Sequence, residues 1–132
     1  MPITWQVTPT RVDITFTDPY ALLDAEAVMK QIFAHPGLRR PFRFLVDVRE
    51  SATPNTEFVG NAITFWQLHV DKMWSARVAI VTGTAEQSRM AHMSELTARS
   101  RELPFRLRVF DQGELALARA WLELDETAPA QP

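Results

Sequence analysis

Apolar and polar residues alternate at the start of the chain. In "ITWQV" the residues Ile3, Trp5 and Val7 share one side, and in "RVDITF" Val12, Ile14 and Phe16 do the same. A period of two is that of a strand with one buried face. "TPTR" lies between the two runs, and Pro9 suits a turn, so the pair predicts a β-hairpin. The period then lengthens. In "DPYALLDAEAVMKQIFAHPG" the residues Leu22, Val28, Met29, Ile32 and Phe33 recur near helical spacing. Asp18 before Pro19, or Asp24 before "AEAVMKQIF", can cap that helix, and "HPG" opposes its continuation.

"FRFLVDV" reads as a third strand ending at Asp47. "RESATPNTE" is a loop into a second helix, with Thr53 as a candidate N-cap and Pro54 at the first helical position. The helix "NTEFVGNAITFWQLHV" carries one apolar stripe of Val59, Ala62, Ile63, Trp66 and Val70. Phe58, Phe65 and Leu68 lie off it, with Trp74 just beyond. "RVAIV" is an apolar run of the kind buried on both faces of a parallel sheet. "TAEQ" fits a capping box, Thr84 capping and Gln87 reaching back. The helix that follows is expected to bury Met90, Met93 and Leu96 and to end before Pro104. "RLRVF" is a fifth strand. "DQGE" is a second box, of Asp111 and Glu114. The last helix, "ELALARAWLEL", is expected to pack through Leu115, Leu117, Ala118, Trp121 and Leu122.

The order β-β-α-β-α-β-α-β-α predicts an α/β fold: a mostly parallel five-stranded sheet, an antiparallel first strand at its edge, and four packed helices. Residues 1–124 make one domain, and residues 125–132, acidic and then rich in proline and alanine, make a tail. At 132 residues the chain is long enough for a single core.

Charge and composition narrow the function classes. A net charge of −2 argues against nucleic acid, even though residues 77–108 lean positive. The absence of cysteine excludes disulfides and thiolate metal sites. The start "MPITWQV" has neither a basic nor an apolar region of signal-peptide type, and no apolar run approaches the roughly 20 residues of a membrane span. A cytoplasmic protein without an integral membrane segment is expected.

Four features carry candidate chemistry. The stretch "RVAIVTGTAEQSRMAHM" has the strand-turn-helix layout of a phosphate-cradling loop, but "VTGTAEQS" holds one glycine and no lysine. A P-loop needs several glycines and a lysine, so scaffold is the expected role, with Arg89 the residue that favours an anion. Asp47 ends a central strand at the carboxyl edge, where ligands of open α/β sheets gather; the competing role is to hold the turn that follows. His35, His69 and His92 have no metal-ligand spacing, so no metal or other cofactor is expected. Phe58, Phe65, Leu68 and Trp74 form a second apolar set. They are either an interface or apolar-ligand surface, or they are covered by other elements of the same chain.

Two stretches, "RVAIVTGTAEQSRMAHM" and "LRVFDQGELALARAWL", together with the element order, resemble the SpoIIAA-like branch of the STAS superfamily (sulfate transporter and anti-sigma factor antagonist domains). That resemblance implies a bacterial-type regulatory domain of α/β fold. STAS regulators of the antagonist kind are switched by phosphorylation of a Ser or Thr at the start of the helix after the third strand. Measured from Asp47, the matching positions are Asn55 and Thr56. Thr56 keeps the hydroxyl, Asn55 stands where an acid is usual, and the usual glycine soon after is missing. Ser51 and Thr53 are neighbouring hydroxyls; helix capping is the competing role for all of them. The branch also resembles lipid-binding domains of the CRAL-TRIO kind, which hold apolar ligands between sheet and helices.

The functional expectation is a non-enzymatic regulatory or protein-interaction module, with a protein or a second copy of itself as partner. The alternative is a carrier or sensor of an apolar, lipid-like molecule held between sheet and helices. A third is an enzyme built around Asp47 and a convergent histidine. An interaction module should show an exposed self-complementary patch, a carrier an apolar cavity of a few hundred Å³, and an enzyme a titratable pair in a cleft.

Overall fold

The structure, a computed structural model, describes residues 3–17, 20–51 and 56–124, and for 56–58 the backbone alone. The strands are β1 (Ile3–Val7), β2 (Val12–Phe16), β3 (Arg43–Asp47), β4 (Arg77–Thr82) and β5 (Arg106–Asp111). The helices are α1 (Leu22–Phe33), α2 (Thr56–Leu68), the single turn α3 (Val70–Met73), α4 (Ala85–Ser100) and α5 (Leu115–Leu122), the last entered through a 3₁₀ turn, Gln112–Glu114. The strands lie in sequence order, β1-β2-β3-β4-β5, with β1 antiparallel to β2 and the other pairs parallel. The α/β fold with an antiparallel edge strand is therefore the one that the alternation predicted.

This strand order decides where the helices go. Each parallel step moves the chain in the same direction across the sheet, so right-handed crossovers place their helices on the same face. α1, α2 and α4 form that layer over the rows Val12–Phe44–Val78–Leu107 and Ile14–Val46–Ile80–Val109. Among the described elements, α5 covers the opposite face, over Leu45, Ala79, Val81 and Phe110. The carbonyls that end α5 are held by two arginines from adjacent strands. Arg43 Nε donates to Leu122 O at 3.0 Å, and Arg77 donates to Trp121 O at 3.0 Å and Leu124 O at 3.1 Å. Cations at the negative end of a helix suit its dipole, so these strand residues fasten α5 to the sheet.

Several local signals hold. Thr84 Oγ1 accepts from Gln87 N, and Gln87 Oε1 accepts from Thr84 N, as the capping box requires. Asp111 Oδ1 accepts from Gly113 N, and Glu114 Oε1 from Asp111 N. α4 ends in a Schellman motif: Glu102 N bonds Arg99 O, Leu103 N bonds Ala98 O, and Glu102 takes a left-handed φ of 54°. α1 is capped differently from expectation. Ala21 is its N-cap, and Asp24 sits in the first turn accepting from Ala21 N; Asp18 lies outside the described residues. Two expected core leucines are exposed, Leu96 and Leu117. The buried face of α4 is Gln87, Met90, Ala91 and Ala98 instead, and that of α5 centres on Ala118 and Leu122.

Candidate functional site

Three alanines face one another across the helical layer: Ala25 on α1, Ala62 on α2 and Ala91 on α4. A methyl group fills little of the space between helices packed 8–10 Å apart. An apolar cavity of about 140 Å³ results, floored by Ile14, Val46 and Ile80 and walled by Phe65, Trp66 and Met90. It reaches the carboxyl edge of the sheet, where Tyr20, Ser51 and Gln87 line it.

The polar groups at that edge are largely committed. Gln87 is 5% exposed. Its Oε1 accepts from Gly83 N at 2.8 Å and Thr84 N at 3.2 Å, and its Nε2 donates to Arg49 O and Ser51 O at 3.2 Å each. One amide side chain thus ties the loop after β3 to the turn after β4. It also takes up two backbone N–H groups of this turn, those of Gly83 and Thr84. That geometry is in keeping with the scaffold role expected for "VTGT", and Arg89 pairs with Glu86 on the helix surface. The Tyr20 phenol is hydrogen-bonded to Ser51. Burial pushes its pKa up, and the Ser51 bond partly offsets that.

Asp47 serves the turn. Its Oδ1 accepts from Arg49 N and Arg49 Nε at 3.0 Å, and its Oδ2 meets the Arg49 guanidinium at 2.8 Å. Burial pushes the Asp47 carboxyl up, but the hydrogen bonds and charge of Arg49 outweigh it, and the carboxyl is held below the usual aspartate range. The histidines stand apart. His35 Nδ1 accepts from Gly37 N, His69 Nδ1 lies 2.9 Å from Phe65 O, and His92 meets Glu95 at 3.3 Å. Among the described residues, no three His, Cys, Asp or Glu side chains gather as a metal site.

The residues singled out from sequence divide. Ser51 is buried at 9% exposure and its hydroxyl donates to Val48 O within the turn after β3. Thr53 and Asn55 lie outside the described residues. Thr56 opens α2, and its side chain and that of Phe58 are not among those described. Phe65 is buried at 7% exposure, its ring 4.4 Å from that of His69, while Leu68 is 75% and Trp74 66% exposed. The second stripe is therefore two things, a cavity wall at Phe65 and a bare surface at Leu68 and Trp74. Phe65 is covered because α2 is the middle helix of three, with α1 on one side and α4 on the other. Tyr20, Glu26 and Ala25 also line the cavity, and the sequence reading passed over them. The available signal was the small residues at core-facing helical positions, Ala25, Ala62 and Ala91.

A sequential, singly wound α/β sheet with three helices on one face and a closing helix on the other is a STAS-like fold. The chain belongs to the SpoIIAA-like family, whose model matches residues 11–123. The crystal structure of an uncharacterized protein from the DUF3478 family of Shewanella loihica PV-4, described as having a SpoIIAA-like fold, is similar. It superposes with a TM-score of 0.58 at 14% identity, over 91% of each chain, a likeness of fold alone. A comparison with curated protein sequences finds no match. Among the described residues no helix is long and apolar enough to cross a membrane.

Proposed function

We propose that the protein is a non-enzymatic regulatory module of the SpoIIAA-like family that takes a small apolar ligand between its sheet and its three-helix layer. The observation that carries this reading is the cavity of about 140 Å³ lined by Ile14, Val46, Ile63, Phe65, Trp66 and Met90. A cavity of about 150 Å³ with Leu, Ile and Phe walls stays dry and admits benzene, so this one suits a single ring or a short branched chain. It is smaller than the few hundred Å³ of a lipid carrier, which favours sensing over bulk carriage. Filling it would return up to about 3 kcal/mol, at about 24 cal/mol per Å³ of void. A bound ligand would thereby tighten α1, α2 and α4 on the sheet.

The test is calorimetric titration with toluene, alongside native mass spectrometry of the purified protein. Toluene should bind the wild-type chain. Ala62→Leu, which puts a side chain into the volume, should abolish that binding while the melting temperature holds or rises. Failure of toluene to bind the wild type would overturn the reading. So would unchanged binding by a folded Ala62→Leu.

A second reading rests on Leu68 and Trp74, large apolar side chains left in solvent near the ends of α2 and α3. Such residues suit contact with a protein partner or a second copy of the chain. Loss of a self-association equilibrium in Leu68→Ser with Trp74→Ser, read by sedimentation, would support it; monomeric wild-type protein at high concentration would rule out the self-contact.

A further inference from the structure

Polar groups at an apolar cavity select the ligand, and those of the described residues can be taken in turn. Gln87 uses both its acceptor and its donors on backbone groups. The Ser51 hydroxyl donates to Val48 O and the Tyr20 phenol is bonded to Ser51. The Ser94 hydroxyl donates to Met90 O. Glu26 differs. It lies on α1 one turn beyond Leu22, half-buried, and lines the cavity together with its helix neighbours Ala25 and Met29. Among the described residues, its carboxylate has no hydrogen bond or ion pair. Among the described residues, no lysine, arginine or histidine lines the cavity. An acidic ligand would meet an unopposed anion there and no cation.

We infer that the ligand is a small apolar amine, its ring or branched chain in the cavity and its ammonium on Glu26. This rests on the cavity reading given above. Because Glu26 is half-buried, the ammonium stays partly hydrated and the pair has the modest strength of a surface ion pair, while the apolar part supplies most of the affinity. The carboxylate therefore acts chiefly as a selector among ligands of the same shape.

Benzylamine, benzyl alcohol and benzoate share one ring and differ in head group, so titrating each at pH 7 isolates the charge. With the wild-type chain benzylamine should bind about fivefold tighter than benzyl alcohol, the scale of a partly exposed ion pair. Benzoate should not bind. In Glu26→Gln the advantage of benzylamine should vanish while benzyl alcohol binds as before, and Ala62→Leu should remove both. Raised salt should weaken benzylamine alone, since screening acts on the ion pair. If toluene binds but benzylamine is no better than benzyl alcohol, or is indifferent to Glu26→Gln, the assignment to Glu26 is wrong and the cavity reading stands. If toluene does not bind either, both are wrong.

Discussion

Gln87→Met is the substitution that should cost the fold most for the least change of shape. Methionine matches glutamine in length and remains apolar in the core, so neither a void nor a clash accompanies it. What is lost is four hydrogen bonds, from Gly83 N and Thr84 N and to Arg49 O and Ser51 O. The bond to Ser51 O is buried, and the other three are partly buried and open to water in the variant. A buried group left unsatisfied costs about 1–3 kcal/mol, and a hydrogen bond exchanged with water about 0.5–1.5 kcal/mol, so one of the first and three of the second should lose about 3–7 kcal/mol. A glutamine on an ordinary helix surface would lose within about 0.5 kcal/mol. Urea denaturation reads the difference as a lowered midpoint at unchanged slope. A loss under about 1 kcal/mol would show that the loop after β3 is not fastened through this side chain.

Gln87→Glu separates the two halves of the staple. A carboxylate can still accept from Gly83 N and Thr84 N, but it sets an oxygen against the carbonyls of Arg49 and Ser51. Its protonated form restores one donor. The folded-state pKa of the introduced Glu should therefore rise above the unfolded value of about 4.3. The stability of this variant should then be greatest below that value and fall as pH rises through the folded pKa.

Other outcomes follow from the same structure. Phe65→Ala should cost about 3–4 kcal/mol, as for a core aromatic, and Leu68→Ser within about 0.5 kcal/mol, both read by urea denaturation. Equal effects would show that the two residues share an environment. Glu102→Gly should stabilise by about 0.5–1 kcal/mol, because a non-glycine residue holds the left-handed position that ends α4, and the melting temperature should rise by a few degrees. Asp47 binds its proton less readily folded than unfolded, so its contribution is present above the ordinary aspartate pKa of about 3.9 and is lost as pH falls through the lowered folded value. Asp47→Asn should flatten the acid limb of stability against pH; an unchanged limb would mean that the Arg49 pair adds nothing to folding.

The strands were legible because a two-residue period survives in the edge hairpin and an unbroken apolar run survives in β4, which is buried on both faces. The caps at Thr84 and Asp111 were legible because they are local, each closed within four residues. The strand order was not legible. Nothing in a helix's own pattern says whether it has one neighbour or two, and that count decided the fate of particular side chains. Phe65 looked superfluous beside the stripe of Val59, Ala62, Ile63 and Trp66. It is buried because α2 lies between α1 and α4 and needs a wider apolar arc than a helix at the rim. Leu96 and Leu117 erred the opposite way: each extends an apolar pattern but falls on the solvent side of a helix packed along one flank.

The cavity escaped the sequence for a related reason. A large apolar residue announces a core position, but a missing one announces nothing until its neighbours across the gap are known. Ala25, Ala62 and Ala91 are unremarkable alone, since alanine is the best helix former and needs no tertiary reason to stand in a helix. Only the one-sided winding of the sheet brings all three to the same space. Glu26 gains its interest in the same step. On an amphipathic helix it reads as a solvated anion near the edge of the apolar face. With α2 and α4 laid beside α1, it becomes, among the described residues, the one charged side chain on the wall of an apolar cavity. The proposed site thus rests on the packing of three helices rather than on any contiguous motif, which is why glycine-rich or nucleophile signatures do not point to it.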